Sequence, residues 1–296
     1  MKALRTPDAR FENLPGYDFE PHYLEIDALR VHYIDEGPAD AAPVLLLHGE
    51  PSWSYLYRRM IPPLAAAGHR VIAPDLIGFG KSDKPVAQSD YSYAGHVDWM
   101  TRFTEALDLN EITLFCQDWG SLIGLRVAAE NQDRFARIAL GNGGMPTGDE
   151  DFPRAFKVWR AFARYSPWFP TGRIIQSGTV SELSREEVAA YDAPFPSANY
   201  KAGARAFPRL VPTEPDNVAS DDNRRAWKLL ERFDKPFLTT FSNRDPITRG
   251  GERPFQERVP GAKNIEHIKI RNAGHFLQED AGEELAAVLN SFIEGT

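Results

Sequence analysis

A chain of 296 residues, 42% hydrophobic and 26% charged, has the make-up of an ordinary globular enzyme with room for one large core. Its net charge of −8 argues against a nucleic-acid-binding surface, and its single cysteine, Cys116, excludes an internal disulfide. No run approaches the roughly 20 apolar residues of a membrane span, and Met1–Gly16 lacks the apolar centre of a signal peptide; a cytoplasmic chain with neither membrane nor nucleic acid as partner is expected.

In chain order, His22–Ile26 and Leu29–Ile34 alternate apolar and polar residues around Asp27-Ala28, the pattern of a short hairpin. Pro43–Leu47 is a continuous apolar run, as in a strand buried on both faces, and a helical pattern follows near Tyr55–Ala67. His69–Pro74 reads as the next buried strand, with a helix near Tyr93–Leu107. Ile112–Cys116 is another strand, ending in a tight turn before a helix from about Trp119 to Asn131. Alternation of this kind predicts a mostly parallel, doubly wound α/β sheet. From about Met145 the grammar changes. Residues 146–215 hold nine of the 23 prolines and many aromatics without a convincing buried strand, which implies a helical insertion. Strand patterns return at Lys235–Phe241 and Ile265–Ile270, and an amphipathic helix from about Glu279 to Ile293 closes the chain. The expected division is a core from residues 1–144 and 228–296, with a helical cap at 145–227.

The strand, turn and helix over Ile112–Gly124 have the form of an α/β-hydrolase nucleophile elbow, with Asp118 where serine usually stands. A carboxylate is a nucleophile at neutral pH without an activating base. It can displace a leaving group from an sp3 carbon and leave an alkyl ester on the enzyme. Asp245 and His275 follow the strands near 237–241 and 265–270, and the order nucleophile, acid, histidine is the one this fold uses. Asp245 would orient the imidazole of His275 and stabilise its cation, and His275 would take a proton from the water that hydrolyses the ester. Each residue has a plainer reading alone: a helix cap for Asp118, a turn before Pro246 for Asp245, a satisfied loop histidine for His275. Their joint occurrence at strand ends favours catalysis.

Cys116 is a rival nucleophile, but the small residue needed two positions on is Gly120, spaced for Asp118. Oxyanion donors are expected from the backbone N–H of Trp119 and of Glu50, since Pro51 has none. Gly78–Ser82 ends like a phosphate loop, yet Asp75 stands where that motif demands glycine. The seven histidines form no H-x-x-x-H pair, so neither a metal nor a cofactor is expected.

These residues resemble the haloalkane dehalogenases over nearly the whole chain. The resemblance is carried by His48-Gly-Glu-Pro-Ser-Trp-Ser-Tyr-Leu-Tyr-Arg58, Asp75-Leu-Ile-Gly-Phe-Gly-Lys-Ser-Asp83 and Gln117-Asp-Trp-Gly120. Ala193-Pro-Phe-Pro196 and Ala273-Gly-His-Phe-Leu-Gln-Glu279 add to it. It implies hydrolysis of small haloalkanes to alcohol and halide, with water as co-substrate, by a monomer without a cofactor. Within that family one branch holds the halide with two tryptophans and another with a tryptophan and an asparagine. Glu50 at the asparagine's position and an acid at Asp245 point to the two-tryptophan branch. Trp119 matches the first tryptophan, an indole N–H being a donor without acceptor character. Trp159 is expected as the second, on a helix face with Phe152 and Phe156 that also reads as core; Trp168 is its competitor. Phe156, Phe162, Phe195 and Phe207 are expected pocket walls. An epoxide hydrolase shares nucleophile, acid and histidine and would protonate its substrate with cap tyrosines, for which Tyr165, Tyr191 and Tyr200 are available. A non-catalytic binding protein of the same fold usually lacks one of the three residues that this chain keeps.

Overall fold

Leu45, Leu46 and Leu47 are shielded from solvent, and the apolar runs around them share one twisted sheet. The computed structural model describes all of residues 1–296. Its strands are β1 (Ala3–Leu4), β2 (His22–Ile26), β3 (Leu29–Glu36), β4 (Pro43–Leu47), β5 (Arg70–Pro74), β6 (Lys84–Pro85), β7 (Ile112–Asp118), β8 (Phe135–Gly143), β9 (Phe237–Ser242) and β10 (Ile268–Ile270). Eight of them form the main sheet in the order β10-β9-β8-β7-β4-β5-β3-β2, while β1 and β6 make a separate ribbon. From β5 to β10 across the sheet every pairing is parallel; only β3 against β5 and the β2–β3 hairpin are antiparallel. Burial on both faces explains the continuous apolar runs of β4 and β7.

Helices α1 (Ile61–Ala66), α2 (Tyr93–Ala106) and α3 (Trp119–Glu130) connect the first strands. Between β8 and β9 lie α4 (Arg154–Tyr165), α5 (Thr171–Ser177), α6 (Arg185–Asp192), α7 (Ala202–Leu210) and α8 (Ser220–Leu230). Two more, α9 (Arg253–Arg258) and α10 (Leu277–Glu294), complete the chain. No helix is long and apolar enough to cross a membrane. The helix read over 55–67 is in fact a 3-10 turn at Ser54–Tyr57 followed by α1. Pro62 and Pro63 cause the break: proline fits a helix's first turn but cannot sit inside one. The strand read over 265–270 is paired only at 268–270. At the end of the insertion, α8 leans on α3, where Arg126 meets Asn223 at 3.3 Å and Asp222 at 3.5 Å. The boundary read at 227 therefore falls inside a helix that abuts the core.

Register decides where the chemistry sits. Pairing Leu47 with Cys116 brings the carboxyl ends of β4 and β7 side by side. The His48-Gly-Glu loop is thereby set against Asp118, at the edge of the sheet where open α/β folds collect their ligands.

Candidate active site

Asp118 ends β7 with φ +49 and ψ −127, a conformation uncommon for any residue other than glycine. The turn that imposes it is tight: a Cβ on Gly120 would lie 2.0 Å from the carbonyl oxygen of Leu47. A Cβ on Gly49 would lie 2.3 Å from Asp118 Oδ1, so the loop after β4 can approach the carboxylate only as glycine. The N–H of Glu50 then donates to Asp118 Oδ1 at 2.7 Å. Cys116, two residues earlier, is buried, and burial pushes its thiol far above the usual cysteine range.

The structure brings Asp118, His275 and Asp245 together. His275 Nε2 lies 3.4 Å from Asp118 Oδ2, and His275 Nδ1 lies 3.0 Å from Asp245 Oδ2. Asp245 is held by the N–H groups of Ile247 (2.7 Å) and Thr248 (3.2 Å) and by the Thr248 hydroxyl. Burial works to raise the Asp245 carboxyl, but His275 and these donors outweigh it and bring it down to about 2. Burial likewise disfavours the His275 cation, but Asp245 and Asp118 outweigh it and raise the imidazole to about 10. Glu50 behaves in the opposite way. It is buried and faces the Asp118 charge, and its carboxyl is pushed well above the usual range.

Above these residues lies a cavity of about 1280 Å3 between sheet and insertion. Glu50, Asp118, Trp119, Leu122 and His275 form its floor; Phe156, Trp159, Phe162 and Trp168 come from the insertion.

A family model described as the alpha/beta hydrolase fold matches residues 42–282. A haloalkane dehalogenase from Psychrobacter cryohalolentis is 60% identical, the match covering 99% of this chain and 98% of the relative. One from Mycobacterium marinum is 57% identical, over 97% of this chain and 98% of its own. Among solved structures, a tetrameric haloalkane dehalogenase from Paraglaciecola agarilytica superposes with a TM-score of 0.91 at 38% identity, over 97% of both chains. The chain belongs to the haloalkane dehalogenase family.

Membership in this family of carbon–halide hydrolases gives the cavity a context. Trp119 and Trp159 line the same space, and so does Trp168. Trp159 is half-buried against Phe162 and Phe169, each ring centre 5.8 Å away, whereas Trp168 is 59% exposed beneath Arg173. Two expected walls are corrected. Phe207 and Phe195 do not line the dehalogenase cavity; they pack one layer behind it. Phe207 is fully buried with its ring 4.5 Å from that of Trp119, between Phe79 and His96. Phe195 meets the edge of Phe79 at 6.4 Å. No tyrosine lines the cavity. Tyr165 is 71% exposed, and Tyr191 is buried with its hydroxyl donating to the Glu279 carboxylate.

Several supporting residues carried no sequence signal of their own. Asn142, at the end of β8, donates to the carbonyl oxygens of Gly274 (2.8 Å) and His275 (3.0 Å). Asp280 accepts from the N–H of Gly274 at 2.7 Å and from Ser181 of the insertion at 2.7 Å, joining the His275 loop to the cavity wall. Thr248, which fixes Asp245, lies three residues beyond it in a loop whose path the sequence pattern leaves open.

Proposed function

We propose that the chain hydrolyses the carbon–halogen bond of small haloalkanes to an alcohol and a halide ion, with Asp118 as nucleophile, His275 as base and Asp245 as the acid that orients it. The observation that carries this reading is the chain of contacts from Asp245 through His275 to Asp118 beneath an aromatic cavity. A carboxylate oxygen of Asp118 attacks the carbon that bears the halogen, an ester bond forms, and the halide leaves with the bonding pair. The indole N–H groups of Trp119 and Trp159 take up the halide's charge. Esterification removes the negative charge beside His275, so the imidazolium gives up its proton to solvent. Neutral His275 then accepts a proton from water as the oxygen attacks the ester carbonyl. The backbone N–H groups of Glu50 and Trp119 receive the tetrahedral oxyanion, and its collapse frees the alcohol and restores Asp118. Asp245 stays ionised throughout, consistent with its lowered value of about 2.

The helical segment 145–227 acts in this reading as a cap that excludes water from the first step, with Phe156 and Phe162 as its walls. The reading needs no second copy, and a monomer remains the expectation from the resemblance; the Paraglaciecola relative is a tetramer, and light scattering on the purified chain decides between the two. Net charge and the lone cysteine favour a cytoplasmic location.

Halide release from 1,2-dibromoethane and 1-bromobutane, run beside styrene oxide hydrolysis, tests the reaction. Bromide should appear and should vanish in Asp118→Ala, by on the order of 10^4-fold or more. Diol from the epoxide without bromide overturns the reading in favour of an epoxide hydrolase, against which the tyrosine-free cavity wall already speaks.

A further inference from the structure

The imidazole Nε2 of His275 has two polar neighbours with opposite demands. Asp118 Oδ2, at 3.4 Å, is satisfied only by a protonated Nε2. The Gln117 side-chain amide, with Nε2 3.3 Å from the same ring atom, is a donor and is satisfied only by a lone pair. Which end of the amide faces the ring follows from a second contact. The same Gln117 Nε2 lies 3.2 Å from the backbone oxygen of His275, a carbonyl that also accepts from Asn142. Turning the amide over would set oxygen against oxygen, so the carbonyl pins the N–H2 end toward the ring. Gln117 is fully buried, and no protein group donates to its Oε1. The amide is thus held by its N–H2 end alone, one contact to the His275 carbonyl and one to the ring.

We propose that Gln117 is a positioning residue that keeps the Nε2 lone pair of His275 free of a proton while Asp118 is esterified, poising the base for water. The inference rests on the reading of His275 as that base. Before the first step, Asp245, Asp118 and the raised imidazole favour the cation, and Gln117 opposes it without prevailing. Esterification neutralises Asp118 and leaves the Gln117 N–H as the polar partner of Nε2 alongside an uncharged ester. The proton then departs, and a hydrogen bond as long as 3.3 Å yields readily to the incoming water. The other charged groups around the ring leave this balance to Gln117. Asp245 holds the far nitrogen Nδ1 in both states, burial pushes the Glu50 carboxyl upward and so disfavours its charge, and Asp280 acts on the backbone N–H of Gly274. The insertion reaches this loop through backbone: the carbonyl of Gly178 accepts from Phe276 N, and the N–H of Ser181 donates to Asp280. Arg244 is exposed and donates its backbone N–H to Ala273.

The test follows the alkyl-enzyme of the full chain by rapid quench and mass spectrometry with 1,2-dibromoethane, from pH 5 to 9. Gln117→Met, close in shape and without a donor, should keep the first-turnover bromide burst. Its ester decay should reach half-maximum about one pH unit higher than in the wild type, so decay on the acid side slows about ten-fold and converges with the wild type at high pH. Gln117→Asn, an amide too short to reach Nε2, should shift the midpoint in the same direction. An unshifted midpoint in either variant, slowing that is uniform across pH, or loss of the burst in a natively folded variant overturns the proposal. A wild type that releases no bromide is a different result: it removes the dehalogenase reading itself.

Discussion

The two sides of the cavity are built differently. On the sheet side Asp118, Asp245 and His275 are each fixed through backbone. Asp118 sits in a conformation that the close approach of Gly49 and Gly120 enforces, Asp245 is gripped by consecutive N–H groups, and the His275 carbonyl is pinned by Asn142 and Gln117. On the cap side α4 offers Trp159 and Phe162, both half-buried and held by stacking on each other and on Phe169, while Val158, Tyr165 and Trp168 of the same segment face solvent. Backbone hydrogen bonds hold a geometry to a few tenths of an ångström; aromatic contact tolerates rotation and exchange. In the proposed reaction the sheet side therefore fixes the chemistry, and the cap side is where substrate and halide preference would change without disturbing it.

His275→Phe probes the sheet side hardest. The first step does not need the base, so the variant should release one equivalent of bromide and then stop, with turnover lowered by at least about 10^3-fold. Mass spectrometry should find the alkyl adduct on Asp118. Turnover at the wild-type rate would place the base elsewhere and dissolve the contrast.

The two sides are tied together by buried charge. Arg58 donates to Glu279 at 2.5 and 2.9 Å and to Glu187 of α6 at 2.7 Å, and Tyr191 of the cap donates to the same Glu279 carboxylate. Arg58→Ala leaves Glu279 buried without its cation, a loss of about 3–5 kcal/mol. The urea midpoint should fall accordingly, and proteolysis should cut first within 154–210 if the cap loosens before the sheet. A shift under about 1 kcal/mol would mean the cap is held by contacts other than this buried ion pair.

What was legible in the sequence divides along the same line. β4, β7 and the elbow could be read because burial on both faces demands continuous apolar runs and a tight turn demands Gly120. The meeting of Asp245 with His275 followed from their places after β9 and β10, although β10 itself is shorter than its apolar run. Phe195 and Phe207 were misplaced because a large aromatic serves a core as well as a cavity wall, and nothing in the local sequence tells the two apart. Gln117 entered only as part of the Gln117-Asp-Trp-Gly120 motif, because its contact is to a residue 158 positions away, which no local pattern records.

The smallest expected effect bears on the least legible choice, the second halide donor. Trp159 is half-buried with its ring stacked in the cavity wall, and Trp168 is 59% exposed. A halide gains from an N–H donor mainly where water is excluded, because an exposed donor merely exchanges one hydrogen bond for another. Trp159→Phe keeps the ring and removes the donor, so bromide affinity, read from quenching of the remaining indole fluorescence, should weaken about ten-fold. Trp168→Phe should change it less than about two-fold. The reverse ranking would mean that the cap closes around the halide with Trp168 turned inward. The cap side would then be more mobile than its stacking implies, and the contrast with the sheet would be sharper still.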